Sequence, residues 1–310
     1  MWSMLPPSGD QYEISAGGYR AVVTECGAGL RLLEHAGVPL VDGFAADQVA
    51  PGGRGQLLAP WPNRIGDGAY SFGGGDHQLP LSEPARHNAS HGLVRWAGWS
   101  VSEHTAHSVT LTYRLMAQSG YPWTLDLRVG YALSDHGLSV TQTARNHAAT
   151  EAPYASGAHP YLAVGPGPVD GWELTLPAAA RVLVDDRLLP IGQEDVTDTA
   201  YDFRVARPIH EVGFDDAFTD LTRDGDGRAT VVLADQRSGR GVALWVDERH
   251  GWLQLFSADD VPGTARRSLA VEPMTAPADA FRSGTGLVTL APAGQPGDVF
   301  AATWGIRAFA

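Results

Sequence analysis

Five short motifs carry side chains suited to acid–base chemistry: Asn63-Arg64, His91-Gly92, His159-Pro160, Asp215-Asp216 and Glu272-Pro273. Glu272 ends an alternating apolar run, Leu269 and Val271, directly ahead of Pro273. A residue before proline is driven toward extended backbone, so this carboxylate is presented from a stiff strand end. A carboxylate there costs free energy unless it is hydrogen-bonded or does chemistry, and Glu272 alone admits both readings. His159 precedes Pro160 and is stiffened in the same way. Its ordinary pKa suits proton donation near neutrality. A lone histidine reads more readily as structural; beside a similarly presented glutamate it becomes half of a candidate acid–base couple.

The other motifs offer binding groups. In Ala59-Pro60-Trp61-Pro62-Asn63-Arg64 two prolines stiffen the chain ahead of Arg64, whose planar fork of donors suits an oxygen-rich ligand edge. Taken alone, the stretch also reads as a surface turn with a solvated arginine. His87 and His91 are four apart, a spacing that invites a metal on a helix. However, Asn88 and Gly92 argue for a loop, and no glutamate follows His87 as in zinc proteases, so no metal is expected. His91, beside a glycine that permits close approach, is the better ligand contact. Asp215 and Asp216 sit between Phe214 and Phe218, where they read either as an acidic turn or as acceptors for sugar hydroxyls. Nucleophile elbows, phosphate loops, dinucleotide fingerprints and cysteine pairs for zinc are all missing.

These groups must be positioned by strands. The chain of 310 residues holds 37 glycines and 21 prolines, which fits many turns and few long helices. Val109, Leu111, Tyr113 and Leu115 alternate, as do Leu125, Leu127, Val129, Tyr131 and Leu133, with Ser119-Gly120-Tyr121-Pro122 between them. Two period-2 faces across a turn predict adjacent antiparallel strands. Tyr70–Phe72 and His77–Leu81 flank a glycine turn as a hairpin, and Pro277 to Phe281 reads as one helical turn beyond Glu272. Strand-like segments continue to Val299–Ile306 with no helical period sustained over three turns, which argues against a parallel α/β sheet. The expectation is an all-β chain, a large antiparallel β-sandwich, as a single domain over residues 1–310.

Composition narrows the partners. All fixed positive charge is arginine, and the formal net charge of −13 argues against nucleic acid or an anionic membrane surface. A neutral small molecule fits better than a polyanion. The one cysteine, Cys26, permits no internal disulfide. The amino-terminal MWSMLPPSGDQYEIS lacks a basic region followed by an apolar core, and no apolar run reaches membrane-spanning length. A cytoplasmic location is therefore expected, and the Asn88-Ala89-Ser90 sequon carries no meaning.

The five motifs in this order resemble the aldose 1-epimerase (galactose mutarotase) family, with weaker echoes at Gly68–Phe72, Asn146 and Val184–Gly192. The resemblance runs over residues about 55 to 282 and implies a galactose mutarotase-like supersandwich, which agrees with the independent strand reading. It further implies that Glu272 is the catalytic base and His159 the catalytic acid, starting as carboxylate and imidazolium, with a bell-shaped pH profile. Arg64, His91 and Asp215 would hold hydroxyls of an aldose, with Asn63 nearby and no cofactor, in a monomer or homodimer. Many members carry His-Gly-Gly and then a Phe-Asp-Lys-like stretch, whereas here His91-Gly92 runs into Leu93-Val94-Arg95-Trp96. That loop resembles the hexose-6-phosphate branch of the superfamily, while the intact Asn63-Arg64-Ile65 favours an unphosphorylated sugar. A glycoside hydrolase built on Asp215 and Glu272, or a non-catalytic sugar-binding sandwich, are the rival readings.

Overall fold

The apolar alternation along Leu125–Ser134 settles one face of the molecule. Leu125, Leu127, Val129, Tyr131 and Leu133 are buried while the residues between them face outward. In the computed structural model, which describes residues 5–309, this strand pairs antiparallel with Ser108–Leu115 in unbroken register from Ser108↔Ala132 to Leu115↔Leu125. Met1 to Met4, the first residues of the amino-terminal stretch discussed above, lie outside the described residues, as does Ala310.

Nine strands form the first large sheet. The final strand, Val299–Phe309, is inserted between Gly137–Asn146 and Arg240–Val246, so the end of the described chain lies mid-sheet. The second large sheet runs Pro190–Asp195, Ala178–Val184, Asp215–Leu221, Trp252–Phe256, Leu269–Met274, Gly157–Ala158 and Leu57–Leu58, with Tyr161–Leu162 also on Leu269–Met274. A smaller sheet of four strands, Gln11 to Pro39, and three two-stranded ladders complete the fold.

Val109, Leu111 and Val129 of the first sheet and Leu253, Leu255, Leu269 and Val271 of the second belong to one continuous buried cluster. Each such side chain contributes about 1.5–3 kcal/mol on leaving water, so the sandwich interior is the main source of stability. The fold is the expected all-β antiparallel sandwich. Among the described residues no helix is long and apolar enough to cross a membrane.

Two local readings change. Asn88–Ser90 is a strand rather than loop, paired with Arg64–Gly66, because the Asn88 amide finds buried partners. Asp215 and Asp216 open the strand Asp215–Leu221 rather than forming an acidic turn. The helical turn past Glu272 is present but shifted, at Ala280–Ser283.

Candidate functional site

Register alone brings the proposed couple together. Gly157 faces Met274 and Tyr161 faces Ala270 across the same antiparallel ladder. Counting two residues inward from each pair sets His159 opposite Glu272. On the other side of the strand, Gln254 faces Glu272. Directly opposed residues project to one face. Because Leu269 and Val271 point into the core, Glu272 must point to the other side, out of the sandwich.

There His159 Nε2 lies 3.3 Å from Glu272 Oε1. The residues are 6% and 2% exposed. The chain before them folds around the imidazole: Gly55 N–H donates to the His159 carbonyl at 2.9 Å, and His159 N–H donates to the Gln56 carbonyl at 3.0 Å. Tyr161 stacks on the His159 ring at 5.0 Å and 11°, its hydroxyl donating to the Gly52 carbonyl at 2.8 Å. The Arg54 guanidinium lies 4.2 Å from the Tyr161 ring centroid and is paired with Asp42 at 2.8 Å.

Asn63, Arg64 and His91 build one wall. Asn63 and His91 both have positive φ, 54° and 62°, a conformation stabilised here by mutual hydrogen bonds. His91 N–H donates to the Asn63 carbonyl at 2.8 Å, and Asn63 N–H donates to His91 Nδ1 at 3.2 Å. Nδ1 is therefore an acceptor, so the neutral ring carries its proton on Nε2. Burial, then the charges of His159, Arg95 and Arg64, holds His91 well below its ordinary pKa. The His91 and His159 rings meet edge-on at 5.6 Å.

A polar relay crosses the floor. Arg64 Nη1 donates to Asn63 Oδ1 at 3.3 Å, Asn63 Nδ2 to Gln254 Oε1 at 3.3 Å, and Gln254 Nε2 to Asp215 Oδ1 at 2.9 Å. These bonds fix both amide orientations. Of the two aspartates, Asp215 lines the cavity, whereas strand alternation sends Asp216 the other way to an ion pair with Arg181 at 3.0 Å. The six expected residues thus share one cavity of about 470 Å³. Gln254, Tyr161 and Arg54 join them without having been singled out as site residues. A lone amide inside the apolar run Trp252-Leu253-Gln254-Leu255-Phe256 is the signal that marks Gln254; Arg54 has none.

Burial governs the electrostatics. Glu272 is pushed well above the usual carboxylate value, first by desolvation and then by the charge of Asp215. His159 is pushed down to about 3 by desolvation, aided by Arg95 and Arg54. Both shifts favour the neutral forms of the two groups. The expected resting state of imidazolium and carboxylate is opposed by this burial. Glu272 Oε2 and His159 Nδ1 have no hydrogen-bond partner among the described residues. Buried polar atoms of this kind are available to a ligand's hydroxyls.

Metal ligation finds no support: among the described residues no group of three or more His, Cys, Asp or Glu could hold an ion. His87 turns outward to Asp67 while His91 lies in the cavity wall, so the two do not converge.

A family model described as aldose 1-epimerase matches residues 10–296. The chain is 35% identical over 301 residues to the uncharacterized protein YihR of Escherichia coli strain K12, covering 97% of this chain and 94% of that protein. Among solved structures, a GalM/aldose epimerase homologue from C. elegans superposes with a TM-score of 0.85 at 21% identity, covering 97% of this chain and 98% of that one. A galactose 1-epimerase from Lactobacillus acidophilus NCFM gives 0.79 at 20% identity, covering 94% and 92%. These structural likenesses establish the fold.

Proposed function

The chain belongs to the aldose 1-epimerase family, and on that premise we propose that it is an isomerase interconverting the α and β anomers of a free aldohexose such as glucose or galactose. The observation that carries this reading is the buried 3.3 Å contact of His159 Nε2 with Glu272 Oε1 in a cavity of about 470 Å³. Glu272 takes the proton of the C1 hydroxyl while His159 gives one to the ring oxygen. The bond between C1 and the ring oxygen breaks, leaving an aldehyde and a free C5 hydroxyl. Rotation about C1–C2 and reclosure, with the two groups exchanging roles, deliver the other anomer. No net proton, electron or water is consumed.

Each proton transfer is worth roughly 10²–10⁴-fold, and holding the sugar in place adds an entropic share. The working state needs the proton on His159. Hydroxyl contacts to the charged forms and the short distance between the groups both favour moving it there from Glu272. Arg64, His91 Nε2–H and Asp215 supply donors and an acceptor for the remaining hydroxyls, with Asn63 braced between them.

Charge favours an unphosphorylated sugar. Arg54, Arg64 and Arg86, the arginines lining the cavity, are already paired with Asp42 or Glu83. Asp215 and Asp260 add carboxylates to the lining, while Arg95, whose charge reaches His91 and His159, lies behind it. A hydrolase is less well supported because the near neighbour of Glu272 is an imidazole, while Asp215 is engaged by Gln254. Polarimetry on freshly dissolved α-D-glucose and α-D-galactose, with glucose 6-phosphate and nitrophenyl glycosides alongside, tests the assignment. Faster relaxation of the free hexoses without nitrophenol release is expected. Nitrophenol release, or acceleration confined to the phosphate, overturns it.

A further inference from the structure

Arg64 does not stand free in the cavity wall; it is gripped from behind. Glu83 Oε2 accepts from Arg64 Nε at 2.8 Å and Glu83 Oε1 from Arg64 Nη2 at 3.1 Å, a two-point clamp. Oε1 also accepts from Arg86 Nη1 at 3.1 Å. Both clamp partners are largely buried, with side chains 14% and 19% exposed. The clamp takes Nε–H and one Nη2–H, and Asn63 Oδ1 takes one Nη1–H, which leaves one N–H on each terminal nitrogen for a ligand. A guanidinium loses less freedom on meeting a ligand when its plane is already set.

The clamp is itself braced. Asn88, fully buried, donates from Nδ2 to Glu83 Oε2 at 3.1 Å and to the Arg187 carbonyl at 2.9 Å. Glu83 and Asn88 also exchange backbone hydrogen bonds at 3.0 and 3.1 Å. From the turn after Ala178–Val184, Arg187 Nη2 donates to Asp67 Oδ1 at 3.0 Å and to the His87 carbonyl at 2.8 Å. A turn about a hundred residues downstream thus locks the segment that holds Arg64.

We propose that Glu83 is a positioning residue for sugar binding: it fixes the plane of Arg64, and Asn88 and Arg187 fix Glu83. This assignment rests on the mutarotase reading above. Arg64 contacts hydroxyls equally in bound sugar and transition state, so loosening it raises KM and spares kcat.

The test compares wild type, Glu83→Gln, Glu83→Asp and Arg187→Ala. Galactose mutarotation gives KM and kcat, and phenylglyoxal labelling of Arg64, read by peptide mass spectrometry, needs no activity. Glu83→Gln should raise KM about tenfold, the loss expected for weakened bonds to a charged group, with kcat held within about twofold. Arg64 should label several-fold faster, and Glu83→Asp should restore part of both. Arg187→Ala, at a side chain 36% exposed, should shift both readouts the same way by less, and it serves if Glu83→Gln does not fold. Unchanged KM and labelling in a folded variant, whatever its Tm, overturn the role of Glu83. A wild type without mutarotation overturns the mutarotase reading instead, and the labelling rates still decide whether Glu83 holds Arg64.

Discussion

His159 Nε2 approaches Glu272 Oε1 to 3.3 Å at the edge of the cavity, where both residues are buried, 6% and 2% exposed. The closeness favours an ion pair and the burial opposes one. At this balance a single proton belongs to the couple rather than to either residue.

The pH dependence follows from that sharing. Activity needs one proton on the couple, so it should fall below about pH 3, where a second is bound. It should also fall above a limb lying well over the usual carboxylate value, where the last proton leaves. Buffer-corrected kcat/KM from pH 3 to 10 checks this. Limbs at about 4.3 and 6.5, the ordinary values for glutamate and histidine, would contradict it.

Stability should respond with opposite signs at the two residues. Glu272 has a folded pKa above its unfolded one, so its contribution is complete below about 4.3 and is lost as pH rises through the folded value. His159 has a lowered folded pKa, so its contribution is complete above about 6.5 and is lost as pH falls toward about 3. Glu272→Gln should therefore gain Tm over wild type increasingly toward alkaline pH, and His159→Gln toward acid. A gain of roughly 1–3 kcal/mol fits a buried polar atom relieved of its charge. Thermal melts of the three proteins at pH 5, 7 and 9 decide it; a pH-independent difference for Glu272→Gln would refute the sign.

Gln254 joins Asn63 to Asp215 and stands beside Glu272 in the ladder. Gln254→Leu should leave Asn63 Nδ2 and Asp215 Oδ1 without these partners and raise KM by tenfold or more, about 1.4 kcal/mol or above. Gln254→Glu adds a like charge next to Glu272 and should move the alkaline limb upward. Steady-state polarimetry across pH reads both, and an unmoved limb in Gln254→Glu would exclude the electrostatic link.

Gly92 lies where a side chain does not fit. It has φ +73°, and a Cβ would come 2.0 Å from the Ala59 carbonyl oxygen. Gly92→Ala should cost about 2–3 kcal/mol or more and displace neighbouring His91. Urea unfolding with unchanged m-value would show this as a lower midpoint; an unchanged midpoint would contradict the clash.

The parts legible in the sequence are those written in local chemistry. Period-2 alternation marks Val109–Leu115 and Leu125–Leu133 as strands, and proline neighbours mark Glu272 and His159 as stiffly presented. What escaped depends on long-range register. Glu83 precedes a proline like the others, yet only the Arg64–Gly66 to Asn88–Ser90 ladder brings it against Arg64. Asp215 and Asp216 are indistinguishable as letters, and strand phase alone decides which faces the cavity. Burial opposes the expected imidazolium and carboxylate because model-compound pKa values hold for exposed groups, and both groups here are buried.

In the proposed reaction Glu272 and His159 together open and close the sugar ring. The most direct test is the mutarotation rate of fresh α-D-galactose, followed by polarimetry, with wild type, Glu272→Gln and His159→Ala at equal concentration and matched folded fraction. Wild type should accelerate the relaxation markedly, and each variant should lose at least about 100-fold. Variants that relax the sugar as fast as wild type would contradict it.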